Sequence, residues 1–329
     1  MAPPEHRIAE ACRGSLREPA SSRRARSDDA PARCWVCRST DTRRFKEPSI
    51  DRALVPDDLK ITSADYGRTL ALRRCRDCGL VFAEEEGLRE LVGLYERLED
   101  PEYEDTQDCR ALQMRWLLER ARRIHPQGST LLDVGAGTGL LVAEARRRGY
   151  EAVGVEPSRT LVEAAARVNH VDLVQGVFPH PELHGRRFDL IFLVDVIEHV
   201  ARPAELVEAC AERLTPSGVL LLVTPDLGSL TARLLGRRWW HLRLAHVSYF
   251  DKRSIGRLLE RAGLEPVFRR RPTWFFRTEY VAERLAQYLP LGRLNGLAGR
   301  VGLLRRLYRT VIRVNPRDSL LVAARPRRP

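Results

Sequence analysis

Lysine is almost absent from this chain: Lys46, Lys60 and Lys252 are the only three, so nearly all of its 56 basic residues are arginines. No apolar run approaches the ~20 residues that cross a bilayer as a helix, and the first residues hold no apolar segment of the secretory type, which points to the cytoplasm. In that reducing compartment paired cysteines are expected to bind metal rather than form disulfides. Acidic residues are also short, 44 in number, leaving a net charge of +12. That imbalance is local. From Arg284 onward eleven arginines face one acid, Asp318. Residues 1–30 are rich in Pro, Ala, Ser and Arg and too poor in apolar side chains for a core, so a disordered tail is expected.

What is present centres on Leu131-Leu132-Asp133-Val134-Gly135-Ala136-Gly137-Thr138-Gly139. A short apolar run breaks into three alternate glycines and enters Leu140-Leu141-Val142-Ala143-Glu144-Ala145, a good helix former. Strand, glycine turn and helix make the first unit of a doubly wound sheet, with its ligand over the strand's carboxyl end. A dinucleotide site would read G-x-G-x-x-G and place a pyrophosphate at the helix start. Here the spacing is G-x-G-x-G, and Asp133 two residues earlier would repel a pyrophosphate and suit a cationic amino-acid end. Glu156 closes the next expected strand, Ala152-Val153-Gly154-Val155-Glu156-Pro157, where a carboxylate can accept from both ribose hydroxyls of an adenosine.

Further strands are expected at 172–175, 188–194, 219–225, 264–270 and 319–324, which completes seven. Helices are expected at 87–100, 105–125, 158–168, 203–214 and 251–262, with Thr215-Pro216-Ser217-Gly218 as a turn. Towards the N-terminus, Cys34-Trp35-Val36-Cys37 and Cys75-Arg76-Asp77-Cys78-Gly79 form two C-x-x-C knuckles. Two such pairs close a tetrahedral Cys₄ shell for structural zinc, with no open position for chemistry. The division is thus a tail at 1–30, a zinc ribbon at 31–86 and an α/β domain at 87–329, with an insertion at 274–315. Within the insertion Leu297, Val301, Leu304, Tyr308 and Val311 share a helical face, opposite Arg305, Arg306, Arg309 and Arg313. Such a helix across 297–313 can either pack on the domain or lie on an anionic membrane surface at the inner face.

These motifs, with Phe188-Asp189-Leu190-Ile191, Asp195-Val196-Ile197-Glu198-His199-Val200 and Trp239-Trp240 before His246-Val247-Ser248-Tyr249-Phe250, resemble bacterial class I methyltransferases with an N-terminal zinc ribbon. The resemblance runs from Arg33 to the end. It implies a seven-stranded Rossmann-like sheet and S-adenosylmethionine (SAM) held by Asp133, Gly135, Ala136, Gly137, Gly139, Glu156, Pro157 and Asp195. It also implies a small-molecule or glycan acceptor, a sugar or lipid-linked saccharide above all. In related sugar C-methyltransferases the histidine matching His199 lies in the active site, as does a second one that His246 resembles, although Ala245 replaces its acid. Glu198, His199 and His246 are therefore the candidate catalytic residues. Trp239, Trp240, Tyr249 and Phe250 are either an apolar platform for the acceptor or buried packing.

Two other functions compete with small-molecule methylation. A nucleic-acid methyltransferase could use the ribbon and the basic charge, but the Asn/Asp-Pro-Pro-aromatic motif of base-amino enzymes is replaced by Asp195-Val196-Ile197-Glu198. A non-catalytic SAM-binding protein is disfavoured by intact Asp133, Glu156 and His199.

Overall fold

The computed structural model describes residues 32–50, 52–60, 66–84, 88, 91, 94, 106–286 and 310–327. Residues 32–329 form one compact unit. The expected tail, most of the expected helix at 87–100, and residues 297–309 of the basic helical face lie outside the described residues.

The chain begins with β1 (Thr42–Lys46), β2 (Leu72–Cys75) and β3 (Val81–Ala83). Then follow α1 (Gln107–Ile124), β4 (Thr130–Val134), α2 (Leu140–Arg146), β5 (Glu151–Glu156), α3 (Arg159–Ala164), β6 (Val174–Gln175) and β7 (Phe188–Val194). Next come α4 (Pro203–Glu212), β8 (Leu214–Pro225), α5 (Leu230–Leu235), β9 (Ser248–Tyr249), α6 (Lys252–Arg261) and β10 (Leu264–Arg270). The last described elements are β11 (Trp274–Arg277), α7 (Thr278–Ala286), β12 (Val311–Val314) and β13 (Ser319–Pro326).

Seven strands form the central sheet in the order β10-β13-β8-β7-β4-β5-β6. The five strands from β8 to β6 run parallel, while β13 is antiparallel to both of its neighbours. The order reverses between β4 and β7, so their carboxyl ends diverge into the crevice where such sheets bind ligands. Both faces are covered, which is why β4, β7 and β8 are apolar at nearly every position. Leu131, Leu190, Phe192 and Leu221 meet Trp116 and Leu117 of α1 and Leu141 of α2 on one face. Leu132, Ile191, Leu193 and Leu222 meet Val207 of α4 and Ile255 and Leu258 of α6 on the other. Each such buried side chain contributes about 1.5–3 kcal/mol.

Two helix starts follow their local chemistry. Ser158 accepts from the Leu161 amide to cap α3, and Asp251 and Ser254 form a reciprocal capping box on α6. The turn expected at Thr215 to Gly218 is absorbed into β8 as a bulge. Pairing with β7 jumps from Phe188↔Leu214 to Leu190↔Val219, and Thr215 Oγ1 donates to Asp189 Oδ1 at 3.0 Å.

The cysteine-bearing segment shares its core with the rest of the domain. β1, β2 and β3 form an antiparallel sheet completed by β9, through Val81↔Tyr249 and Phe82↔Ser248. Phe82 packs in the same cluster as Phe250 and Ile255. Between β10 and β13, β11 and β12 pair as a separate two-stranded sheet. Val311, Ile312 and Arg313, expected to end the basic helix, are strand residues here. No described helix is long and apolar enough to cross a membrane.

Candidate active site and metal centre

β4 and β5 end side by side, with Asp133 in register with Gly154. The Gly135 and Ala136 amides both donate to the Val155 carbonyl, at 2.9 and 3.0 Å, which folds the loop back over β5. Gly135, Gly137 and Gly139 have φ of 73°, 55° and 70°, a region that side chains other than glycine rarely adopt. Space is equally restrictive below the loop. A Cβ on Gly154 would come within 2.8 Å of Ala136 Cβ and 2.6 Å of Leu173.

Glu156, 1 % exposed, reaches under this loop. Its Oε2 accepts from the Gly137 amide at 2.8 Å and its Oε1 from the Ser158 amide at 2.9 Å. Burial raises its carboxyl above the ordinary value, against these two amides, which lower it. The Asp133 carboxylate makes no hydrogen bond and no ion pair among the described residues. Burial, and then the charge of Glu156, push its carboxyl up to about 7. Two carboxylates beneath one glycine loop lack a cation, and a ligand that brings an ammonium group and hydroxyl donors supplies what they need. Ala136 lines the loop, and Pro157 links Glu156 to the cap of α3. A third layer, unseen in the sequence, braces the loop from outside. Gln107 Nε2 donates to Thr138 Oγ1 at 2.9 Å, and Asn169 Nδ2 donates to the Thr138 carbonyl at 2.8 Å.

Asp195 follows β7 with φ of 54°. Its side chain is exposed at the end of the strand, while the flanking protein displaces part of its hydration and raises the carboxyl to about 6. Val196 beside it faces the loop, for a Cβ on Gly135 would lie 2.7 Å from Val196 Cγ2. Glu198 is buried, and Thr224 Oγ1 donates to its Oε2 at 3.0 Å. Its Oε1 has no hydrogen-bond partner among the described residues, and burial followed by the charge of Asp195 holds the carboxyl well above its ordinary value. His199 Nδ1 donates to the Ala245 carbonyl at 2.8 Å, and His246 Nδ1 to the His241 carbonyl at 2.9 Å. Each imidazole thus keeps Nε2 as an acceptor. The rings meet edge to face at 4.7 Å. Desolvation lowers His199 to about 4 and His246 well below its ordinary value, so both are neutral near pH 7.

The family model described as a methyltransferase domain matches residues 107–267. Residues 107–267 are therefore similar to methyltransferase domains, on a sheet of matching order. The chain is 30% identical over 156 residues to the ubiquinone biosynthesis O-methyltransferase of Cereibacter sphaeroides (strain ATCC 17025 / ATH 2.4.3), across 44% of its own length and 63% of the relative's. It is 31% identical over 125 residues to the enzyme of the same name in Rhodopseudomonas palustris (strain TIE-1), across 37% of itself and 46% of the relative. The solved sugar N-methyltransferase of Streptoalloteichus sp. ATCC 53650 is 31% identical, with 33% of this chain and 46% of that one covered and a TM-score of 0.30. The chain therefore spans less than two thirds of these curated relatives.

The four knuckle cysteines converge, with Sγ atoms all within 4.8 Å of one another. Cys34 and Cys78 lie 3.5 Å apart, as do Cys37 and Cys75. Zinc at ~2.3 Å from four sulfurs needs sulfur pairs about 3.8 Å apart, so the cradle fits. The Val36 and Cys37 amides bond to Cys34, Ser39 to Cys37 and Leu80 to Cys78. Amides aimed at sulfur favour thiolate.

Burial decides between the two readings of the aromatic cluster. Trp239, Tyr249 and Phe250 are at most 1 % exposed and belong to the core, leaving Trp240 as the partly exposed member. Trp240 Nε1 donates instead to Asp318 Oδ2 at 2.7 Å, and His241 Nε2 donates to the same oxygen at 3.0 Å. Sequence reasoning passed over this contact. Asp318 stands 77 positions from His241 and had been read only as the lone acid in a basic stretch.

Proposed function

We propose that this methyltransferase moves the methyl group of SAM to a small-molecule or glycan acceptor, a saccharide, free or lipid-linked, being the favoured class. The observation that carries this reading is the pair Asp133 and Glu156, buried under a loop of three positive-φ glycines at the ends of adjacent strands. The residues fit the cofactor. Asp133 offers an uncompensated carboxylate to its cationic amino-acid end, and Glu156 keeps lone pairs beyond its two amide bonds for ribose hydroxyls. When bound, SAM supplies an electrophilic methyl group.

The chain's own work is positioning. Neutral His199 and His246 accept hydrogen bonds at Nε2 from acceptor hydroxyl or amine groups. Glu198, whose carboxyl burial holds well above its ordinary value, offers its second oxygen to a polar group of the acceptor. Relatives named as a ubiquinone biosynthesis O-methyltransferase and a sugar N-methyltransferase support a small acceptor. Zinc in the Cys34, Cys37, Cys75 and Cys78 shell is a structural part of the same proposal.

The test combines two measurements. Calorimetric titration with S-adenosylhomocysteine (SAH) should show binding that Glu156→Ala weakens by about tenfold or more, from the ~1–3 kcal/mol of each unpaired buried group. Radiolabelled SAM, incubated with extract of the source cells, should label the small-molecule or glycolipid fraction. Label confined to RNA would support the nucleic-acid alternative, and absent SAH binding would refute both.

A further inference from the structure

His199 and His246 share a limitation as proton acceptors. Each gives its Nδ1 proton to a backbone carbonyl, a neutral partner that does little to hold an imidazolium. Both are desolvated, and the charge of Arg243 bears on both. A third imidazole in the same row is held differently. His241 stacks on His246 at 6.0 Å, and its Nε2 donates to a carboxylate oxygen of Asp318, 3.0 Å away.

That carboxylate is firmly fixed. Its side chain is 2 % exposed, and Trp240 Nε1 donates to the same oxygen. The backbone carbonyl of Asp318 accepts from the Asp226 amide at 2.7 Å, which docks the start of β13 on the end of β8. Burial would raise the carboxyl, but the bond from His241 and then its charge outweigh burial and hold it below its ordinary value. The ring of His241 is 22 % exposed, and Nδ1 has no partner among the described residues. His241 is also close enough to Asp195, at the mouth of the ligand crevice, for its charge to act on that carboxyl.

We propose that His241, oriented by Asp318, takes the proton from the acceptor during methyl transfer, an inference that rests on the reading above. A carboxylate behind an imidazole fixes its tautomer and stabilises the cation formed when the other nitrogen is protonated. The step balances. An acceptor O–H or N–H gives its proton to Nδ1 as the oxygen or nitrogen pair forms the bond to the methyl carbon. The carbon–sulfur pair stays on sulfur, which leaves as a neutral thioether. The imidazolium pairs with Asp318 and returns its proton to solvent across its exposed edge. Asp318 is a positioning residue in this scheme.

The titratable groups that face His241 are Asp318 just before β13, Asp195 after β7 and His246 before β9. Arg110 of α1 acts on Asp195 and Arg243 on His246.

The full chain is assayed with radiolabelled SAM and the small-molecule and lipid fraction extracted from source cells, at saturating SAM. His241→Gln should lose about 100-fold in rate, while SAH affinity stays unchanged and shows the variant is folded. Asp318→Asn should lower the rate as well and release the His241 ring from its Nε2-protonated tautomer. His241→Gln at wild-type rate would overturn the proposal and leave the methyltransferase reading standing. A wild-type protein that binds no SAH would sink both. Histidine ¹⁵N spectra of the full chain give a check independent of turnover. His241 should carry its proton on Nε2, and an Nδ1-protonated tautomer would overturn the assignment.

Discussion

Replacing Asp133 by asparagine should stabilise the ligand-free protein while weakening its grip on ligand. Burial places the carboxyl at about 7 in the fold, against 3.8 for a free aspartate side chain. Between those two values the folded state binds more protons than the unfolded chain, so this group lowers stability as pH rises from about 4 to 7. Above pH 7 the full difference applies, and at 1.36 kcal/mol per pH unit it comes to about 4 kcal/mol. Urea unfolding of the ligand-free protein at pH 8 should show Asp133→Asn more stable than wild type by a good part of this amount. The gain should vanish near pH 4. With SAH present the order should narrow or invert, because binding stabilises the fold by RT ln(1 + [L]/Kd) and the variant has lost its partner for the ammonium group. An asparagine variant equal to or weaker than wild type at pH 8 without ligand would show that Asp133 is not held as an uncompensated acid. The reasoning about the site would then fail at its first step.

Protein purified without added metal should contain one zinc per chain by elemental analysis. Cys75→Ser should lose it and melt several degrees lower, whereas a stoichiometric zinc kept by that variant would exclude the four-sulfur shell. For the basic segment at 297–313, the full chain should sediment with anionic phosphatidylglycerol vesicles at low salt and be released at high salt. Indifference to those vesicles at low salt would remove the membrane reading.

The parallel strands were legible because burial on both faces leaves little choice of residue: Phe188 to Val194 reads the same in sequence and in structure. Asp133 and Glu156 could be paired in advance because a glycine loop constrains both to neighbouring strand ends. The bulge at Thr215 to Gly218 was hidden, since a turn signal does not say whether the strand resumes on the same line. The fate of Trp239, Tyr249 and Phe250 was hidden too. An aromatic cluster has the same composition whether it greets a ligand or fills the space beneath β3. The His241–Asp318 contact depends on β13 folding back beside β8, a long-range pairing that no local pattern announces.

The pairing of β3 with β9 bears on how such proteins are assembled over evolutionary time. A cysteine ribbon is easily pictured as a bead transferable from one enzyme to another. In this chain Phe82 fits against Phe250 and Ile255, and Arg261 donates to the Val36 carbonyl at 3.0 Å. The transferable unit is therefore discontinuous: the first strands together with the stretch from Ser248 to Arg261. A recombination that moved only the N-terminal part would deliver a ribbon with one edge bare, and would leave the donor with a hole beside its own Phe250 and Ile255.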